Sequence, residues 1–63
     1  LTRRETECLT WIAVGKTDWE VGSILGITES TARQHIDNAR MKLSAKTRTH
    51  AVACALQEKL IAV

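Results

Sequence analysis

Apolar residues return along this chain at helical spacing, three or four positions apart. Cys8, Leu9, Ile12 and Ala13 make one stripe. Val21, Ile24 and Leu25 make a second, joined by Ile27. Ala32, Ile36, Ala39 and Leu43 make a third, and Ala51, Val52, Ala55 and Leu56 a fourth. Polar punctuation brackets the stripes. Thr2 with Glu5, and Thr17 with Glu20, have capping-box spacing: the hydroxyl accepts from an early backbone N–H and the glutamate reaches back. Thr28, followed by Glu29, and Thr47 stand where they can cap two more helices. Gly15 and Gly26 mark stops, and Ser44–Thr47 ("SAKT") parts the third stripe from the fourth. The pattern predicts helices over 3–14, 18–25, 29–43 and 48–60. The fold class is all-α, a compact four-helix domain filling 1–63.

Only "GIT" joins the second and third helices, which forces the sharp crossing of a helix-turn-helix. Gly22, four residues before Gly26, lets the two helices approach closely, with Leu25, Ile27 and Ala32 filling the angle between them. Trp11 and Trp19, the only aromatics, are expected in or against the core.

Composition narrows the classes. Sixty-three residues make one domain at most. With no initiator methionine, the chain is expected to be a piece of a larger protein. No apolar run approaches the roughly 20 residues that cross a bilayer, so no membrane partner is expected. Cys8 and Cys54 lie within apolar helical patterns and read as small hydrophobes in a reducing, cytoplasmic setting. The net charge is only +2, but Arg33, Arg40, Lys42, Lys46 and Arg48 crowd one segment against Asp37 alone. That asymmetry suggests an anionic partner on one face.

The third helix sorts its residues by face. Opposite its apolar stripe run Ser30, Arg33, Gln34, Asp37 and Met41; of these Ser30, Arg33, Gln34 and Asp37, toward the helix N-terminus, are placed to meet base edges in a major groove, where arginine suits guanine and glutamine suits adenine. On one flank run Thr31, His35, Asn38 and Lys42, donors placed for phosphates. A carboxylate at Asp37 repels phosphate; it can accept from a cytosine amino group or hold Arg33 through an i, i+4 pair, and the second is expected. On the fourth helix, Arg48, Ala51, Val52 and Ala55 face the core, with Arg48 expected beside Glu5. His50, Ala53, Cys54, Gln57 and Ile61 form the other side, too apolar for plain exposure and suited to a dimer seam. Cys8, His35, His50 and Cys54 are the only residues that could be cast as zinc ligands, but no Cys-x-x-Cys pair accompanies them. No nucleophile–base pair or glycine-rich phosphate loop is evident. Neither an enzyme nor a metal or other cofactor is expected.

Four segments, "LTRRETECL", "AVGKTDWEVG", "LGITESTARQHIDNARMKL" and "TRTHAVACALQEKLI", resemble the LuxR-type helix-turn-helix domain of bacterial transcription regulators, without gaps over essentially the whole chain. The resemblance implies that the third helix recognises double-stranded DNA and that the fourth supports a homodimer. It implies base contacts from Arg33, Gln34 and Asp37, and phosphate contacts from Lys16, Thr17, Thr31, His35 and Lys42. "GKTDWE" is most similar to the quorum-sensing branch, in which an N-terminal domain binds a small-molecule autoinducer. On this reading the chain is the C-terminal part of a regulator, with RNA polymerase as a further partner. Gly22 stands where the family usually has alanine, Ala32 and Ala39 where larger aliphatics are common, and Asp37 where relatives often carry a basic or polar residue. Two alternatives remain. One is the output domain of a two-component response regulator. The other is a sigma-factor-like module within RNA polymerase, against which the fourth helix speaks.

Overall fold

The computed structural model describes all 63 residues and contains four helices and no strand. They are α1 (Arg3–Ala13), α2 (Asp18–Leu25), α3 (Glu29–Lys42) and α4 (Arg48–Gln57). Each starts at the threonine the pattern singles out. Thr2 and Thr17 form complete capping boxes: the hydroxyl accepts from the Glu5 or Glu20 N–H, and each glutamate accepts from its threonine's N–H. Thr28 and Thr47 cap α3 and α4 through the N–H groups of Thr31 and His50. Each such cap contributes on the order of 1 kcal/mol.

The helix ends agree with expectation to within one residue except at α4. α4 stops at Gln57, three residues short of the predicted boundary, because Lys59 turns into the left-handed region at φ 59°. The Lys59 N–H then donates to the Leu56 carbonyl and the Leu60 N–H to that of Ala55. This is the paired bonding of a Schellman motif. Ser44, at φ 55°, ends α3 in the same way, its N–H donating to Met41 and that of Ala45 to Arg40.

α3 runs through the middle and supplies both halves of the core. Ala32 and Ile36 pack with Cys8 and Val21, flanked by Trp11, Ile12, Leu25 and Ile27. Ala39 packs with Leu9, Ala45, Ala51, Ala55 and Ile61, flanked by Ala13, Leu43 and Val52. Ile61 is thus corrected: it is 7% exposed and belongs to the core of its own chain, so it does not lie on a dimer seam. The turn at Lys59 carries it back over four alanines, whose small side chains leave room for its branched one. Trp19 is corrected in the opposite sense. It is 65% exposed, and Ile24 is also largely exposed, whereas Trp11 is half-buried.

The α2–α3 turn depends on two glycines. Gly26 adopts φ 71°, in the left-handed region, where glycine carries no Cβ penalty. Gly22 is buried in the crossing itself. A Cβ there would lie 2.7 Å from the Ile27 carbonyl oxygen, 3.1 Å from the Thr28 carbonyl carbon and 3.2 Å from the Glu29 nitrogen. These are backbone atoms of the turn and cannot rotate away. Even alanine must push the turn outward, opposing the roughly 1 kcal/mol it gains in helix propensity. We expect Gly22→Leu to lower the unfolding free energy by about 3 kcal/mol, the upper end of overpacking penalties. Chemical denaturation would measure it, and an unchanged midpoint would refute the close crossing.

Candidate nucleic-acid interface

The outward strip of α3 is built from short or forked polar side chains on a helix held from behind. Ser30, Thr31, Arg33, Gln34, Met41 and Lys42 are exposed, while His35, Asp37 and Asn38 are half-buried. The local bonding leaves functional atoms free. The Thr31 hydroxyl accepts from that of Thr28 at 2.9 Å, so its own proton remains available to a phosphate. The Gln34 amide nitrogen donates to the Asn38 Oδ1 at 3.0 Å. One N–H and the carbonyl oxygen of Gln34 remain, the donor–acceptor pair that adenine requires. Lys16 and Thr17 are exposed in the α1–α2 connection. The Thr17 hydroxyl caps α2, accepting from the Glu20 N–H.

The crowd of basic residues is far less free than its spacing suggests. Lys42 donates to both oxygens of Glu5, at 2.9 and 3.0 Å, tying α3 to α1. Arg48 donates through both terminal nitrogens to Asp18, tying α4 to the start of α2. Arg33 donates from Nε to the same Asp18 at 3.1 Å and from Nη2 to Glu29 at 3.1 Å. Arg40 donates to the Ala45 carbonyl at 3.1 Å, closing the end of its own helix. The side chain of Lys46 carries no such bond.

Two expected pairs are therefore corrected. Arg48 meets Asp18 and not Glu5, because Lys42 and the Thr2 N–H already occupy the Glu5 carboxylate. Arg33 is held by Asp18 and Glu29 and not by Asp37. Asp37 is half-buried, and its charge acts on Arg48, whose pKa is raised first by the bonds to Asp18 and further by the charges of Asp18 and Asp37. Asp18 is the residue that sequence reading missed. Its partners lie 15 and 30 positions away, and the only local hint is a carboxylate in the first turn of a helix.

On α4, His50, Ala53 and Gln57 are exposed and Cys54 is half-buried, on one face at helical spacing. The His50 Nδ1 accepts from the Lys46 N–H at 3.3 Å. Both cysteines are free thiols, and no three His, Cys, Asp or Glu side chains converge as a metal cluster. The one concavity, about 240 Å³ between Arg3, Arg4 and Glu7, lies on α1, which carries none of the interface residues. No helix is long and apolar enough to cross a membrane.

Two carboxyls that tie helices together, Asp18 and Glu5, titrate below their ordinary range, as does the exposed Glu20, held down first by the Thr17 N–H. For Asp18, the Arg48 hydrogen bond lowers the pKa against the effect of burial, with Arg33 adding to it. For Glu5, burial opposes ionisation, but the Thr2 N–H and Lys42 together outweigh it. Unfolded carboxyls titrate near about 4. The folded state therefore gains stability from both groups above that pH and loses it as pH falls through the lower folded values.

The profile described as bacterial regulatory proteins, luxR family, matches residues 1–55. The transcriptional activator protein BjaR1 of Bradyrhizobium diazoefficiens is 51% identical over 61 residues, which are 97% of this chain and 25% of that protein. The quorum sensing-dependent transcriptional regulator RpaR of Rhodopseudomonas palustris is 54% identical over 61 residues, again 97% and 25%. The transcriptional activator protein LuxR of Aliivibrio fischeri is 43% identical over 56 residues, 89% and 22%. The chain thus spans about a quarter of the length of the curated relatives it matches. A solved structure of VqmA bound to DPO superposes on 100% of this chain and 32% of that one, with a TM-score of 0.89 and 27% identity.

We expect Asp18→Asn to lower stability by about 1–2 kcal/mol at neutral pH, the scale for a charge-assisted bond discounted for exposed arginine partners. The mutant's melting temperature should also fall less steeply than the wild type's as pH drops below about 4. Parallel pH profiles for the two proteins would remove Asp18 from this role.

Proposed function

We propose, for a chain that belongs to the luxR family of bacterial regulatory proteins and carries its DNA-binding helix-turn-helix, that α3 enters the major groove of double-stranded DNA. The observation that supports this most is the exposed strip of Ser30, Arg33 and Gln34 on a helix whose opposite face is fully committed to the core. α3 has 14 residues and is about 21 Å long. Its N-terminal half can therefore lie in a groove about 12 Å wide while its C-terminal half is held to α1 by Lys42.

In this reading Ser30, Arg33 and Gln34 meet base edges, and Asp37 lies behind them beside Arg48. Lys16, Thr17, Thr31, His35, Asn38 and Lys42 hold the phosphates on either side. Lys42 reaches a phosphate from its Glu5 anchor, so its charge is partly neutralised, whereas Lys16 is unencumbered. His50, Ala53, Cys54 and Gln57 form a two-fold contact between two copies on a site with two half-sites about one helical turn apart. Several relatives bear names that say quorum sensing-dependent. On that ground the chain is the DNA-binding part of a cytoplasmic regulator. A small-molecule autoinducer acts through an N-terminal domain, and RNA polymerase is the downstream partner. The response-regulator and sigma-factor readings gain no such support.

Duplex affinity should fall linearly with the logarithm of salt concentration, with a slope of about −0.9 per phosphate contacted. Lys16→Ala should weaken all sequences alike and flatten that slope by about one. Gln34→Ala should instead lose about 1–3 kcal/mol of discrimination between a selected and a random duplex. If Gln34→Ala weakens both duplexes equally, Gln34 does not read a base. For the dimer, Ala53→Glu should reduce binding of a two-half-site duplex to the level of an isolated half-site without changing half-site affinity. Retained cooperativity would exclude this face of α4.

A further inference from the structure

Arginine offers five N–H donors in a fixed plane. In Arg33 two carboxylates from two different helices take up two of the three donor nitrogens. Asp18 of α2 takes Nε–H, and Glu29 of α3 takes a hydrogen of Nη2, each at 3.1 Å. Nη1 has no partner within the chain. The end of the fork, Nη1 with the second hydrogen of Nη2, is therefore left for a ligand. Two adjacent N–H donors match the O6 and N7 acceptors that guanine shows in the major groove.

The two carboxylates differ in mobility. The Asp18 side chain is only 10% exposed and is fixed from the other side by Arg48. The Glu29 side chain is 47% exposed, on the first turn of α3. Asp18, Glu29, Arg33 and Arg48 together carry no net charge. An arginine in such a cluster is shielded from indiscriminate capture by phosphate, yet retains the directional fork that a base edge engages.

Resting on the reading of Arg33 as a base contact, we propose that Asp18 and Glu29 are positioning residues that present Arg33 end-on to guanine and withhold it from phosphate. Asp18 supplies the anchor and Glu29 the second point that fixes the plane. Freed from Glu29, Arg33 can swing to the backbone, where it contributes affinity for any sequence and loses its preference for one.

Glu29→Ala is the informative variant, because Glu29 is exposed and its loss leaves the Asp18–Arg48 tie in place. Binding would be measured for the chain and its variants on two probes. One is the tightest duplex this chain selects from a random library, and the other is a random duplex of the same length. Glu29→Ala should tighten binding to the random duplex and cut discrimination about tenfold. It should also steepen the salt slope on the random duplex by about one. In an Arg33→Ala background, Glu29→Ala should leave discrimination unchanged. The inference is overturned if Glu29→Ala shifts both duplexes by one factor, as loss of a repelling charge alone would do. It is equally overturned if discrimination falls as much without Arg33. If Arg33→Ala alone leaves discrimination intact, the base-contact reading itself fails, and the positioning role fails with it. Thermal melts of each variant, expected to lie within a few degrees of the parent, separate these outcomes from unfolding.

Discussion

Asp18 is one carboxylate shared by three helices. It starts α2, receives both terminal nitrogens of Arg48 from α4, and receives Nε of Arg33 from α3. An ion pair this close to water adds little net stability, because desolvation and screening offset most of the Coulomb gain. What it supplies is register. Half of the buried apolar residues of this chain are alanines, which pack closely but index weakly, since one alanine can take another's place with little penalty. A directional contact between the ends of three elements removes that freedom. It settles how far α3 slides along its axis relative to α2 and α4, and so where the outward strip of α3 sits.

The rest of the frame works toward the same end. Glu5 caps α1 and holds Lys42, so one buried carboxylate both starts a helix and clamps the far end of α3. Gly22 brings α2 within a Cβ of the turn that launches α3. No buried side-chain nitrogen or oxygen is left without a hydrogen-bond partner, so this polar framework is fully satisfied in a domain with little core to compensate for errors. The exposed polar residues of α3 project from a rod that is fixed at its base by Gly22, along its length by Ala32, Ile36 and Ala39, and at its end by Lys42.

Local signals account for what was legible in the sequence. A threonine cap needs only its own first turn, and both capping boxes lie within four residues, so all four helix starts could be read directly. Glycine ends at Gly15 and Gly26 were equally plain. The end of α4 was not, because Lys59 takes a left-handed conformation that its residue type does not advertise. The turn there is closed by the Lys59 and Leu60 N–H groups and returns Ile61 to the core, a tertiary contact with no local trace. The ion pairs failed for a related reason. Arg48 had several acids within plausible reach, and the choice of Asp18 over Glu5 depended on Lys42 having taken Glu5 first, a contact spanning 37 positions. Arg33 had an i, i+4 acid on each side, and it pairs with Glu29 of its own helix and with Asp18, a partner 15 positions away that only the fold brings near. The strip of exposed polar residues on α3 was visible as a pattern. Its electrostatic state, a near-neutral cluster at one end and encumbered lysine and arginine at the other, required the fold.

If α3 meets DNA as proposed, it does so with a preset face while the frame behind it stays as it is. Backbone amide shifts of the isotope-labelled chain, followed during titration with a selected duplex, test this most directly. Large changes are expected from Thr28 to Asn38 and at Lys16 and Thr17, with the amides of Leu9, Val21, Ala39 and Ala55 nearly unmoved. Changes centred on α1, or spread evenly through the core, would contradict it.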